Sequence, residues 1–316
     1  MPIKPSQLDY LGASLTDNEV VFTHENPIDN SVCILNTRGF VGIAGPDAEK
    51  FMQGQLTCDV EAISENLSSL GAHCTPKGRA LASFRLVKTA DQHYLFSLPE
   101  NNTDTLRTSL GKYIVFSKAK LSAIDNTLAL GLNGSKAAAF INEHFSDVSD
   151  THSSASNSKG TAINVGQDRF ELWLNDEQLQ ALWPAITAEF KTSNTNAWYS
   201  ANIDAGLVEI EAASSDVFIP QMFKLEEHGG ISFSKGCYTG QEIVARLKYL
   251  GKQKRQLAKF THSNNTINVG DKVESNEGQN LGTVAANTGL AVVSDQALEA
   301  DAATINSAAV SFNHGE

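Results

Sequence analysis

Two stretches of this chain carry the same succession of strand, glycine turn and helix. Gly42, Gly45 and Phe51 recur as Gly131, Gly134 and Phe140, all at one offset of 89 residues. Around the first set, Val32-Cys33-Ile34-Leu35 and Phe40-Val41-Gly42-Ile43 alternate like strands. Gly45-Pro46-Asp47 then opens a helix through Phe51 and Met52. Pro46 suits a helix start, because its missing N–H would have no intrahelical partner there. Around the second set, Leu130 to Gly134 leads through Ser135 into a helix over Ala137–Asn142. The shared offset predicts a duplicated α/β unit.

The rest of the chain is organised around that pair. Residues 1–30 are polar and read as an irregular N-terminal arm. Residues 146–160 are rich in Ser, Thr, Asn and Asp and read as a surface loop or bridge. Phe170–Leu174 alternates as a strand, and Asp176–Phe190 has helical spacing with Pro184 inside it, which predicts a kink or a split. After Gly251, short apolar runs at Leu257–Phe260, Leu281–Ala285, Leu290–Val293 and Ala308–Phe312 alternate with turn residues. They predict a small C-terminal β-barrel. The expected organisation is therefore an arm over 1–30, a two-lobed main domain over 31–250 and a barrel over 251–316, in the α+β class.

A chain of 316 residues is long enough for two or three lobes. No apolar run reaches bilayer length, and the first ten residues lack the apolar core of a secretion signal, so a cytoplasmic location without membrane attachment is expected. Cys33, Cys58, Cys74 and Cys237 fit no C-x-x-C or zinc spacing and read as four free thiols, mostly buried. The histidines show no H-x-x-x-H or H-E-x-x-H spacing, so no metal site is expected. Net charge is −12, which disfavours stable nucleic-acid binding. Residues 246–259 are the exception, with Arg246, Lys248, Lys252, Lys254, Arg255 and Lys259 and no acid. These six charges read equally as a solvated helix end or as an anion site.

The most informative stretch is Gly229-Gly230-Ile231-Ser232-Phe233-Ser234-Lys235-Gly236-Cys237-Tyr238-Thr239-Gly240-Gln241-Glu242. It is a glycine-rich loop running into a helix, and Thr239 with Glu242 forms the S/T-x-x-E pattern that predicts Thr239 as the N-cap. Cys237 then lies just before a helix N-terminus, with Lys235 nearby, and both would favour a thiolate. A small buried thiol in a tight turn is the competing reading.

This segment, from Phe218-Ile219-Pro220-Gln221 to Arg246, closely resembles the signature of the YgfZ family, which includes a mitochondrial iron–sulfur assembly factor. Phe51–Thr57 with Asp59-Val60, Ala72–Gly78, Tyr113–Lys118, and Trp198 with Asn202–Gly206 resemble further blocks of the family, in collinear order over about residues 35–260. The resemblance implies an aminomethyltransferase-like fold of several lobes around a central cavity, with tetrahydrofolate as the cofactor. It also implies a role in supporting iron–sulfur enzymes, among them a radical-SAM enzyme that methylthiolates tRNA, through transient partner contacts. Trp198 matches a family folate-site tryptophan. Asp204 matches the acid of an acid-Ala-Gly turn that contacts the pterin. Arg38 stands where the family has a second folate-site tryptophan, and a guanidinium can stack on a ring or pair with a carboxylate. Cys237, with Lys235, is the candidate functional thiol.

The resemblance also implies a loss. Aminomethyltransferases carry paired aspartates after a glycine turn, and here Ala82-Ser83 follow Lys77-Gly78-Arg79. A methyl and a hydroxyl cannot do a carboxylate's proton-transfer or electrostatic work. The expectation leans against an enzyme. A folate-dependent one-carbon transferase with relocated groups, and an RNA-binding module using the basic run, are the alternatives.

Overall fold

The computed structural model describes residues 3–16, 19–22, 29–146, 148–251, 253–262, 267–286, 289–299 and 303–313. Helix α1 (Pro5–Leu11) and strands β1 (Ser14–Thr16) and β2 (Glu19–Val21) precede β3 (Ser31–Ile34), β4 (Arg38–Ala44) and α2 (Ala48–Gln53). Next come β5 (Ser69–Cys74), β6 (Ala80–Ala90), β7 (His93–Pro99), α3 (Thr103–Ile114), β8 (Lys120–Ile124), β9 (Thr127–Asn133) and α4 (Ala137–His144). They are followed by β10 (Ser154–Asn157), β11 (Gly160–Gly166), β12 (Arg169–Asn175), α5 (Asp176–Glu189), β13 (Lys191–Thr192) and α6 (Thr195–Asp204). The chain ends with α7 (Gln241–Leu250), β14 (Arg255–His262), β15 (Lys272–Ser275), β16 (Asn280–Ala286), β17 (Leu290–Ser294), α8 (Asp295–Glu299), β18 (Ala303–Ile305) and β19 (Ala308–Asn313).

Two units divide these elements. The first holds residues 1–52, 59–69 and 84–199, and the second holds 53–58, 70–83 and 200–316.

In the first unit the 89-residue offset is visible in the backbone. β4 and β9 begin and end at matching positions, and α2 and α4 begin at matching positions after them. Each of the two strands is interior to its sheet: β4 lies between β7 and β8, and β9 between β12 and β3. Gly45 and Gly134 make the equivalent turns with φ of +133° and +117°. A Cβ on Gly134 would sit 2.3 Å from the backbone nitrogen of Asn30. The turn therefore needs glycine for both conformation and space.

The six-stranded sheet β10-β11-β12-β9-β3-β13 is buried on both faces. Alternate residues of β3, β9 and β12 (Val32, Ile34, Leu128, Leu130, Leu132, Phe170, Leu172, Leu174) join α4 and α5 in one apolar core. The intervening residues Cys33, Ala129 and Trp173 face the other way. They pack with Phe40 of β4 and Val87 of β6 in a second core. Phe40 meets Trp173 edge-on at a centroid distance of 5.3 Å, a geometry that aromatic quadrupoles favour.

Three expectations need correction here. The N-terminal stretch is not irregular: α1 and the β1–β2 hairpin are formed, and Ile3, Leu11, Val20 and Phe22 belong to the core. Residues 17–18 and 23–28 of that stretch lie outside the described residues. The polar 146–160 segment is not simply a loop. Its end pairs with β11 as the edge strand β10, with Ser154 and Ala155 buried. Its polarity suits an edge strand, where apolar content is low. Finally, α5 is not split at Pro184: it is one helix from Asp176 to Glu189. Proline lacks the N–H that would reach the carbonyl of Gln180, and the hydroxyl of Tyr10 donates to that oxygen at 3.1 Å instead.

The C-terminal barrel is present. It is a closed six-stranded barrel in the order β14-β17-β16-β15-β18-β19, around Val273, Leu281, Val284, Ala291, Val293 and Ile305. The four predicted apolar runs are β14, β16, β17 and β19. No described helix is long and apolar enough to cross a membrane.

Gly134→Ala should cost about 1–3 kcal/mol in urea unfolding from backbone strain alone. Gly12→Ala is a control for the αL penalty, since its Cβ would meet nothing within 4 Å.

Candidate functional site

Charge is concentrated on the inner face of β12 in the first unit. Side chains at 169, 171 and 173 point to the same side, so Arg169, Glu171 and Trp173 enter the second core beside Cys33 and Ala129. Among the described residues, Arg38, Arg85, Arg169 and Glu171 are the charged side chains classed as buried. Arg38 donates from Nη2 to Oε1 of Glu171 at 3.2 Å, and Trp173 donates from Nε1 to Oε2 at 2.9 Å. Burial alone would push the Glu171 carboxyl up. The guanidiniums of Arg38 and Arg85, the Trp173 N–H and the Arg169 guanidinium outweigh it and hold the carboxyl below its ordinary value. Burial also drives the neighbouring Cys33 thiol up to about 12. That sulfur is an inert, protonated group.

Helix α6 brings Trp198 to this face. The start of α6 is tied down by Thr195, whose Oγ1 donates to the carbonyl of Ile34 at 2.9 Å. The indole lies on Gly131, where a Cβ would fall 2.4 Å from Cε3. Gly131, read from the sequence as part of a repeat, is thus the gap in β9 that admits the ring. The guanidinium of Arg169 lies over the indole, 5.0 Å from the ring centroid. Trp198 is only 3% exposed, and its Nε1 is buried without a hydrogen-bond partner. Such an orphan donor is uncommon and costly.

The second unit holds the glycine-rich loop. Two other blocks singled out in the sequence converge on it there. The Thr57 hydroxyl donates to the Gly230 carbonyl at 2.6 Å, Ser232 N–H donates to Thr57 O, and Thr239 N–H donates to Gly54 O. Gly240 packs so closely on the 72–78 turn that a Cβ would sit 2.6 Å from Thr75 O. Lys235 donates from Nζ to the carbonyls of Leu56 and Cys58, at 2.8 and 2.6 Å, and lies over the Tyr238 ring. Cys237 is the exposed thiol, while Cys33, Cys58 and Cys74 are buried. Burial drives Cys74 up to about 12.

Thr239 is not the N-cap. That place belongs to Gly240 in the left-handed region, and the Thr239 hydroxyl turns to the Gln55 side-chain oxygen at 3.2 Å. A neighbouring amide side chain, invisible in the local pattern, takes the hydroxyl that the capping box would use. Asp204 ends α6, followed by Gly206 at φ +66°, so the acid-Ala-Gly turn is a helix stop. Its carboxylate is 79% exposed and accepts from Lys259 Nζ at 2.8 Å. Lys248 pairs with Glu226, so parts of the basic run are matched by acids from elsewhere. Lys252 lies outside the described residues. Ala82 and Ser83 are buried, and the Ser83 hydroxyl accepts from Ile210 N–H at 2.8 Å, a structural use of that position. Among the described residues, no group of three His, Cys, Asp or Glu side chains could hold a metal ion.

Sequence reasoning missed Glu171, Trp173, Arg169 and Arg85. The available signal was the i, i+2 pairing of Glu171 with Trp173, which puts the carboxylate on the face of a large aromatic residue. Arg38→Ala should destabilise the chain by about 3–5 kcal/mol, since it strips a buried carboxylate of its partner. Because the folded pKa of Glu171 lies below its unfolded value, its contribution is complete above the ordinary carboxylate range and lost as pH falls through the folded value. Urea midpoints from neutral to acid pH should show that dependence in the wild type and lose it in Glu171→Gln.

Comparison with known proteins fits this architecture. The fold matches that of the glycine cleavage system aminomethyltransferase T from Bartonella henselae. The TM-score is 0.72, over 98% of this chain and 95% of that one, at 15% identity. No family model matches the chain. Curated relatives do. It is 37% identical over 253 residues to the tRNA-modifying protein YgfZ of an Enterobacter species, covering 77% of each chain. It is 36% identical, with the same coverage, to the protein of that name from Shigella boydii. With that identity over three quarters of both sequences, on the aminomethyltransferase fold, this chain belongs to the YgfZ family.

Proposed function

We propose that this protein is a folate-binding accessory factor of the cytoplasm that supports iron–sulfur enzymes and, through them, tRNA modification by methylthiolation. The observation that carries the reading is Trp198. Its indole N–H is buried without a partner in a charged, aromatic setting, as expected of a group reserved for a ligand. Tetrahydrofolate suits such a setting. Its pterin carries both donors and acceptors along its edge, and the molecule's benzoyl tail ends in a glutamate that cations can hold. Trp198 is the aromatic contact and Arg38 the polar contact of this reading.

Cys237 is its functional thiol. It is exposed on a loop that Lys235 fastens, and it is reachable by a partner. One thiolate cannot ligate a cluster alone, because such sites take four ligands, so the partner completes whatever the sulfur holds or protects. The acidic pair of an aminomethyltransferase is replaced by Ala82 and Ser83, which supports an accessory role over one-carbon transfer. The tRNA role rests on the names of the curated relatives.

Two experiments test this. Calorimetric titration with tetrahydrofolate should give saturable binding to the wild type, weakened by about tenfold or more in Trp198→Ala. Equal affinity in the two proteins would remove Trp198 from the site. In cells lacking the family protein, Cys237→Ala should fail to restore methylthiolated tRNA. Full restoration would exclude the thiol from the mechanism.

A further inference from the structure

The block Tyr113–Lys118, singled out in the sequence, has no part in the sites described above. It forms the turn between α3 and β8 and leaves three apolar side chains in water: Tyr113 is 43% exposed, Val115 71% and Phe116 89%. Single exposed apolar residues are ordinary, but three within four positions form a patch, and contiguous patches mark interaction sites. The turn is held in place. Ser117 N–H donates to the Ile114 carbonyl at 2.8 Å, and Lys118 N–H donates to Oδ2 of Asp47 at 2.7 Å. Gly45 packs so closely that a Cβ there would sit 2.3 Å from the Lys118 carbonyl oxygen. The backbone under the patch is therefore fixed, and a partner would not have to order it. The surroundings are basic. Residues 105–124 hold Arg107, Lys112, Lys118 and Lys120 and no acid, in a chain of net charge −12. Arg107 is paired with Asp104. Lys112, Lys118 and Lys120 are exposed and, among the described residues, enter no ion pair.

We propose that Tyr113, Val115 and Phe116 are the apolar centre, and Lys112, Lys118 and Lys120 the charged rim, of a docking surface for a partner protein whose own surface sets carboxylates around an apolar pocket. The proposal rests on the accessory-factor reading, since an accessory factor acts by contact, and it names the residues that make the contact. An aromatic centre inside a polar rim is the composition of specific protein interfaces. Charge selects the partner. An acidic protein is repelled by the chain as a whole and drawn to this cationic patch, so the patch also orients the encounter. A second copy of the chain packed patch on patch would bring lysines against lysines. An RNA is disfavoured, because its phosphates repeat along the whole strand and call for many cations, and Val115 has no ring face for a base.

The test places the photo-crosslinker p-benzoylphenylalanine in the full chain in place of Tyr113, in cells lacking the family protein. Irradiation should join it to an acidic protein, identified by mass spectrometry. Adding Phe116→Asp, or Lys118→Glu with Lys120→Glu, should cut that adduct about tenfold or more. An adduct of equal strength in these variants, one destroyed by nuclease, one to a second copy of the chain, or none at all overturns the proposal. The same cells report methylthiolated tRNA. If the unsubstituted chain fails to restore it, the accessory-factor reading falls and takes the docking surface with it. If that chain restores it and Phe116→Asp restores it as fully, the docking surface alone is overturned. Purified Phe116→Asp should bind tetrahydrofolate as the wild type does. A weakened affinity would put the turn in the ligand site and overturn the proposal. Thermal unfolding reports whether Phe116→Asp is folded. If it is not, Phe116→Gln, polar and uncharged, should show the same loss of adduct.

Discussion

A carboxylate that is 3% exposed sets the terms for the first unit. Removing an unpaired carboxylate from water would cost many kilocalories per mole, so its surroundings must supply cations and donors in fixed positions. They come from separated parts of the chain: Arg38 from β4, Arg85 from β6, and Arg169 and Trp173 from β12 itself. The ionic cluster can assemble only when the two sheets of this unit face each other across the core that holds Phe40, Val87 and Trp173. Arg85 has a further task. It donates to Ser68 Oγ and meets His152 Nδ1 at 3.0 Å. A guanidinium has no acceptor, so the histidine must accept at Nδ1 and carry its proton on Nε2.

The duplication gives this arrangement its frame, and the two copies have diverged where the chemistry lies. At the same place in the repeat, β4 begins with Arg38 and β9 with Thr127. One copy therefore contributes a guanidinium to the buried cluster. The other contributes Gly131, on which Trp198 rests, although the equivalent Gly42 is also glycine, so here the copies differ in use and not in residue. Structural equivalence of the strands was preserved by the glycine turns and apolar alternation. Side chains on the inward faces were free to specialise.

Much of this was legible in the residues. The repeat offset, the barrel strands and the strand over Phe170–Leu174 are all regular patterns of apolar residues and glycines, and local periodicity records them. What periodicity cannot record is a partner distant in sequence. Tyr10 satisfies the carbonyl that Pro184 leaves open, and Gln55 draws Thr239 away from a cap position its local pattern favours. Glu171 alternates with apolar neighbours just as a solvated residue of a half-exposed strand would. Only the second sheet, hundreds of atoms away along the chain, makes it a buried ion. Trp198 was singled out by resemblance, but that its ring would lie on a bare glycine was legible only once β9 and α6 had been placed.

The loop that carries Cys237 is fastened by a neighbour. Lys235 commits its ammonium to two backbone carbonyls, of Leu56 and Cys58, and Thr57 and Gly54 hold the loop's backbone at either side. None of these anchors uses the sulfur. The thiol is thus a passenger on a closed clasp. It can be capped, oxidised or handed to another molecule while every fastening of the loop stays shut.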